Sequence, residues 1–151
     1  MTTQHDLAAQ ARGAIEIVCS GDLSRMEEFY SPVFVDHVND TTLHGYDGGR
    51  ESVNFYRTIF KELRMGVDDQ VTEADRVASR WFLKGNYHGR AVTLRGITIS
   101  RFDEDGRIAE DHAHSDTISL ARQIGIARTL LLGVEVLTRR AKLPKGSLQR
   151  S

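Results

Sequence analysis

The chain has 151 residues, 40% of them hydrophobic and 27% charged, with a formal net charge of −1. That balance suits one globular domain and gives no electrostatic case for nucleic acid or an anionic membrane surface. A single cysteine, Cys19, excludes an intramolecular disulfide, and no apolar run nears the roughly 18 residues that span a bilayer. The opening "MTTQHDLAAQARG" lacks the basic segment and apolar run of a secretory signal, so a cytoplasmic protein is expected.

Leu7, Ala11, Ala14, Ile15 and Val18 recur at helical spacing and predict a helix over about residues 5–19. Cys19 follows that stripe as a small buried hydrophobe. Ser20-Gly21-Asp22 breaks the helix, Asp22 can cap a short second one, "LSRMEEFY", and Pro32 ends it. "VFVDHV" is a short β-branched run, and "NDTTLHGYDGG" has the composition of a loop. A third helix follows, its apolar stripe formed by Val53, Tyr56, Phe60 and Leu63.

From residue 66 the period changes to two. "VDDQVTEAD", "RVASRWFLKGNYHG", "RAVTLRGITISRF" and "RIAEDHAHSDTI" predict four successive strands joined by hairpin-length connections. Helices followed by an antiparallel meander predict an α+β fold, with three N-terminal helices on one face of a curved sheet. After Gly125, Ile126, Leu130, Val134 and Leu137 keep helical spacing, while Leu131, Leu132 and Val136 widen the apolar surface. Arg139, Arg140 and Lys142 suit the negative end of that helix, and Pro144 and Gly146 stop it. Residues 1–125 therefore form a domain to which 126–151 add a helical extension and basic tail. An apolar surface this wide needs cover, from the mouth of the fold as a lid or from a second copy in a homodimer.

The segment "GRIAEDHAHSDTISLARQIG" raises the functional question. On a strand, Glu110, His112, His114 and Asp116 share one face, and Ala109, Asp111, Ala113, Ser115 and Thr117 share the other. Four titratable groups in a row suit a chemical pocket or a wet surface. His112-x-His114 places two rings on one side, as a metal site needs, and Gly106 completes the opening Gly-x5-His-x-His of the cupin motif. The glutamate that motif requires downstream is missing, since Ile118 and Ser119 occupy its place, so the cupin reading fails and no metal is expected, while His37 or Asp116 is left as an available third ligand. Arg95 and Arg101 alternate with Ile97 and Ile99 on the preceding strand. Whether they share the histidine face depends on how many residues the "DEDG" turn takes.

Three stretches carry a resemblance: "SGDLSRMEEFYSPVFVDHV", "DRVASRWFLKGNYHG" and "ISRFDEDGRIAED…SDTISLARQIG". Over about residues 5–125 the sequence resembles the SnoaL-like polyketide cyclases of the nuclear transport factor 2-like superfamily. The resemblance implies a conical α+β barrel and an intramolecular aldol closure without metal or cofactor. It implies that His37 closes the first short strand as a pocket residue and that Asp116, before "RQIG", is the general acid and base. At the position four before that aspartate the family commonly has tryptophan, and here it is His112. The segment around His88 is also shortened. Both departures imply a more polar pocket than usual.

Asp116, His112 and His37 are thus the catalytic candidates, with His114, Glu110, Arg95, His88, Trp81 and Tyr56 as substrate-binding candidates. Asp116 also suits the N-cap of the helix that starts at Ile118. Asp36, on the opposite face from His37, reads as a surface or strand-end residue. The expected activity is a cofactor-independent cyclase or isomerase acting on a small, apolar, carbonyl-bearing molecule. Two rivals remain: epoxide hydrolysis of the limonene epoxide hydrolase type, for which only Arg101-Phe102-Asp103 has the Arg-x-Asp spacing, and non-catalytic ligand binding.

Overall fold

A computed structural model describes residues 6–142. Asp6 opens α1 (Leu7–Ser20), its carboxylate accepting from the Ala9 N–H at 3.0 Å. Gly21, at φ 70°, ends the helix in the left-handed conformation. Asp22 caps a 3-10 turn, Leu23–Arg25, that leads into α2 (Met26–Phe29). There follow β1 (Tyr30–Val38), β2 (Thr41–His44), α3 (Gly45–Ile59), β3 (Lys61–Glu73), β4 (Arg76–Tyr87), β5 (Arg90–Phe102), β6 (Ile108–Ser115) and α4 (Thr117–Lys142).

The expected α+β architecture is present, with one correction to the sheet. It has six strands in the order β2-β1-β6-β5-β4-β3, and it is mixed rather than antiparallel throughout. β3, β4, β5 and β6 form the meander, whereas β1 runs parallel to β6. No hairpin links those two strands, so no turn imposes an antiparallel direction on them. Two local expectations also change. Thr41–His44, inside the expected loop, pairs with β1 as an edge strand. α3 stops at Ile59, so Phe60 and Leu63 reach the core from the start of the sheet instead of prolonging a helical stripe.

Period-two alternation buries one face of the meander. Val77, Ser79, Trp81 and Leu83 of β4 point inward, as do Val92 and Leu94 of β5. Val77 joins Ala11, Ala14 and Ile17 of α1 and Val53 of α3 in one core cluster. Trp81, Leu83 and Tyr87 join Phe60, Leu120 and Ile124 in another. The Trp81 indole lies over Gly96 of β5, where any side chain would collide with it, and its N–H donates to Thr98 Oγ1 at 2.9 Å. Cys19 is half-buried and functions as a hydrogen-bonding group: its Sγ meets the Met65 N–H at 2.9 Å and the Met65 carbonyl at 3.2 Å.

α4 bends at Gly125, whose φ of 79° breaks the helical path. Beyond the bend, Leu132 returns to the core, and the Tyr87 hydroxyl donates to the Arg128 carbonyl and the Glu135 carboxylate. The His88 ring meets the same carboxylate at 3.1 Å. These contacts tie the helix to the β4–β5 hairpin. Ile126, Leu130, Val134 and Leu137 remain on its outer, exposed side. The side chains of Arg140 and Lys142, and the stop at Pro144 and Gly146, lie outside the described residues. No helix among the described residues is long and apolar enough to cross a membrane.

Candidate active site

A cavity of about 680 Å³ opens between α3, the sheet and α4. Its walls are mostly apolar: Leu43, Phe55, Tyr56, Phe60, Leu94, Leu120, Leu132 and Val136. Asn39, Thr41, Ser52, Asn54, Ser115 and Thr117 add neutral polar groups, and Arg139 approaches from α4. An apolar cleft with a few convergent polar groups is the usual form of a small-molecule site. The C-terminal helix lines part of this cavity with its inner side, through Leu132, Val136 and Arg139.

Two carboxyl groups lie next to the cavity and face each other across β1 and β6. Asp36 and Asp111 are direct partners in the parallel register, 7% and 8% exposed. Ser52, a wall residue on α3, hydrogen-bonds Asp36, and Ser100 of β5 hydrogen-bonds Asp111. The Oδ1 of Asp111 is buried without a hydrogen-bond partner. Burial raises the pKa of Asp36 well above the usual carboxylate range, against a smaller lowering from Ser52. It raises Asp111 further, with repulsion from Asp36 adding to the effect. Like charges this close resist simultaneous ionisation, so the pair holds a proton near neutral pH. Tyr30 and Tyr56 complete the setting. Burial, then the charges of Asp111 and Asp36, hold the Tyr30 hydroxyl neutral, and burial with the Asp36 charge does so for Tyr56.

The side-chain row highlighted by the sequence lies on the other side of the sheet. Glu110 and His112 are at the convex face, half-buried and exposed respectively, and His114 is exposed beside them. One backbone irregularity decides this. Phe102 pairs with Ile108, but Arg101 pairs with Glu110, so Ala109 is an extra residue in β6. Were Ala109 paired regularly with Arg101, Glu110 would oppose Ser100 and point inward. With the bulge, Asp111 opposes Ser100 and takes the inward position. The turn that sets this up is tied by Asp103, whose Oδ1 accepts from Asp105 N–H at 3.0 Å and Arg107 N–H at 2.9 Å.

The expectation that Glu110, His112, His114 and Asp116 share a pocket face is therefore corrected. Asp116 is exposed at the start of α4 and accepts from the Ser119 N–H at 2.9 Å, which is the N-cap arrangement. His37 also faces outward, stacked on His112 with ring centroids 4.4 Å apart. Arg95 is exposed and pairs with Asp68 at 3.0 Å. Arg101 does share the face of Glu110, at 3.1 Å, but outside the cavity. His88 sits in the β4–β5 turn, and Trp81 is core. Of the expected binding residues, Tyr56 lines the cavity.

The sequence reading puts Asp36 at the surface or a strand end and gives Asp111 no role in the site. The available signal was the spacing from Phe34 to Asp36, two apart on a strand, which puts the carboxylate on the face of a large aromatic. A bulge cannot be read that way, because alternation only fixes a face up to the next irregularity.

The model of the SnoaL-like polyketide cyclases matches residues 9–124. The chain belongs to this family. Among solved structures, the SnoaL-like chain is similar to wild-type IdmH of Streptomyces antibioticus, a candidate polyketide cyclase. The two are 26% identical with a TM-score of 0.72, over 81% of this chain and all (100%) of IdmH. A loop-truncated IdmH variant gives 27% identity and a TM-score of 0.72, over 80% of this chain and 100% of the variant. A candidate cyclase from Bacillus cereus, 20% identical with a TM-score of 0.70 over 79% of this chain and 80% of its own, shares the fold. No curated protein sequence matches the chain.

Proposed function

We propose that this SnoaL-like protein is an acid–base catalyst of ring closure or isomerisation, acting on a small, largely apolar carbonyl compound held in the cavity. The observation that carries the reading is the Asp36–Asp111 pair, which joins the cavity through the Ser52 hydroxyl. A carboxyl group with a pKa raised toward neutrality can both accept and return a proton at working pH.

In this reading the ionised member of the pair acts through Asp36. Ser52 takes a proton from the carbon next to the substrate carbonyl as its own proton passes to Asp36. The resulting enolate oxygen is met by neutral donors on the wall, of which the Tyr56 hydroxyl and the Asn54 amide are candidates. The enolate carbon then attacks a second carbonyl or is reprotonated elsewhere, and the pair returns the proton to oxygen or carbon. Proton transfer of this kind calls for no external cofactor. Asp116, His112 and His37 have no direct part in this version; the carboxylate role expected of Asp116 passes to Asp36.

Epoxide hydrolysis receives no support from the geometry. Arg101 is engaged by Glu110 on the convex face, and Asp103 is engaged in the turn. The homodimer belongs to the proposal, supported by the exposed outer side of α4, and native mass spectrometry reads it together with any retained ligand.

The test is solvent deuterium exchange into simple cyclic ketones and 1,3-diketones, followed by NMR. The protein should accelerate exchange, Asp36→Asn should lose roughly 100-fold or more, and Asp116→Asn should stay close to wild type. Equal rates for wild type and Asp36→Asn would remove the pair from the mechanism.

A further inference from the structure

We propose that His37, Glu110 and His112 form a binding site for one divalent transition-metal ion, zinc or a close relative, on the convex face of the sheet. Among the described residues these three ligand atoms lie within 4.8 Å of one another. Both imidazoles aim Nε2 at the same carboxylate oxygen: His37 Nε2 and His112 Nε2 are each 3.3 Å from Glu110 Oε1. Four-coordinate zinc, with bonds of about 2.0–2.1 Å, separates its ligand atoms by about 3.3 Å. Two edges of the triangle already have that length; the third, between the two Nε2 atoms, is within 4.8 Å, and binding an ion requires His112 to turn out of its stack on His37.

The surroundings behave as an outer shell. His37 Nδ1 is 3.0 Å from Thr42 Oγ1, so this ring can donate there and leave Nε2 as a lone-pair donor. Arg101 Nε holds the other carboxylate oxygen of Glu110 at 3.1 Å, which leaves Oε1 to bind through one atom. The backbone contributes as well: His37 and His112 are direct partners in the parallel pairing of β1 and β6. The donor set, two imidazoles and one carboxylate, suits zinc, cobalt, nickel or copper better than calcium or magnesium. The site is on the opposite side of the sheet from the cavity. Its ion would cross-link β1 to β6, which no hairpin joins, and would leave a fourth position for water or for a group from outside the chain.

Protein stripped with a chelator and exchanged into metal-free buffer is titrated with zinc against a chromophoric competitor. The expected result is one zinc per chain in the micromolar range or tighter, with a raised unfolding midpoint in its presence. His112→Ala removes an exposed ligand and should weaken binding by more than about tenfold, and Thr42→Val by about tenfold. His114→Ala, on the same face two residues away, should leave the affinity unchanged. Absence of stoichiometric binding, undiminished binding by His112→Ala, or an equal loss in His114→Ala would each overturn the proposal.

Discussion

The two faces of the sheet at one point of β1 and β6 carry contrasting chemistry. On the concave side Asp36 meets Asp111, and one residue further His37 meets His112 on the convex side. Backbone pairing is the same for both, yet burial makes them different kinds of site. Inside, the carboxyls lose water and gain only one serine each, so their proton affinity rises. Outside, Glu110 keeps some water and gains Arg101 and both imidazoles, so its proton affinity falls. Similar side chains are therefore a proton reservoir on one face and a fixed anion on the other.

Asp111→Asn sharpens the comparison through pH. A folded-state pKa above the unfolded value means the native state holds more protons than the unfolded one. The pair then favours the fold most below the unfolded carboxylate pKa, near 4, and loses that contribution as pH rises toward the raised values. The wild type should therefore lose stability between about pH 4 and pH 8 relative to the variant. Asp111→Asn should gain on the order of 1–2 kcal/mol at the upper end, which is about 2–6 °C in midpoint for a chain of this size. A pH-independent difference between the two proteins would contradict the assignment.

Glu110→Gln addresses the other face and should do the reverse with smaller size. Its lowered pKa contributes stability above the unfolded value, lost as pH falls through the folded one. The partly exposed cluster makes the expected loss about 0.5–1 kcal/mol at neutral pH, shrinking in high salt. Chemical denaturation at low and high salt measures it. The smallest effect is expected from Asp116→Ala, about 0.5 kcal/mol from the lost N-cap bond of this exposed residue to Ser119. A collapse of activity without loss of stability in that variant would return Asp116 to the catalytic role the family resemblance assigns it.

Helix and strand periods are local properties, and they are legible here because burial enforces them residue by residue. The stripe of α1 and the alternation of Val77, Ser79, Trp81 and Leu83 follow from which side chains must leave water, whereas the apolar stripe of α4 keeps helical spacing while exposed. Family motifs add the cone. The site was less legible because its two halves are 75 positions apart in sequence, at Asp36 and Asp111, and meet only through a parallel pairing that no turn announces. His37 and Asp36 had to be separated by face, and the face chosen for catalysis was the outer one.

By itself, the sequence determined the fold class, the main helices and the strands of the meander, and the presence of titratable groups on both sides of β6. Tertiary structure alone decided which of those groups turn inward beside the cavity. The physical reason is that side-chain direction alternates at every residue, so a single extra residue, Ala109, inverts the meaning of the rest of the strand.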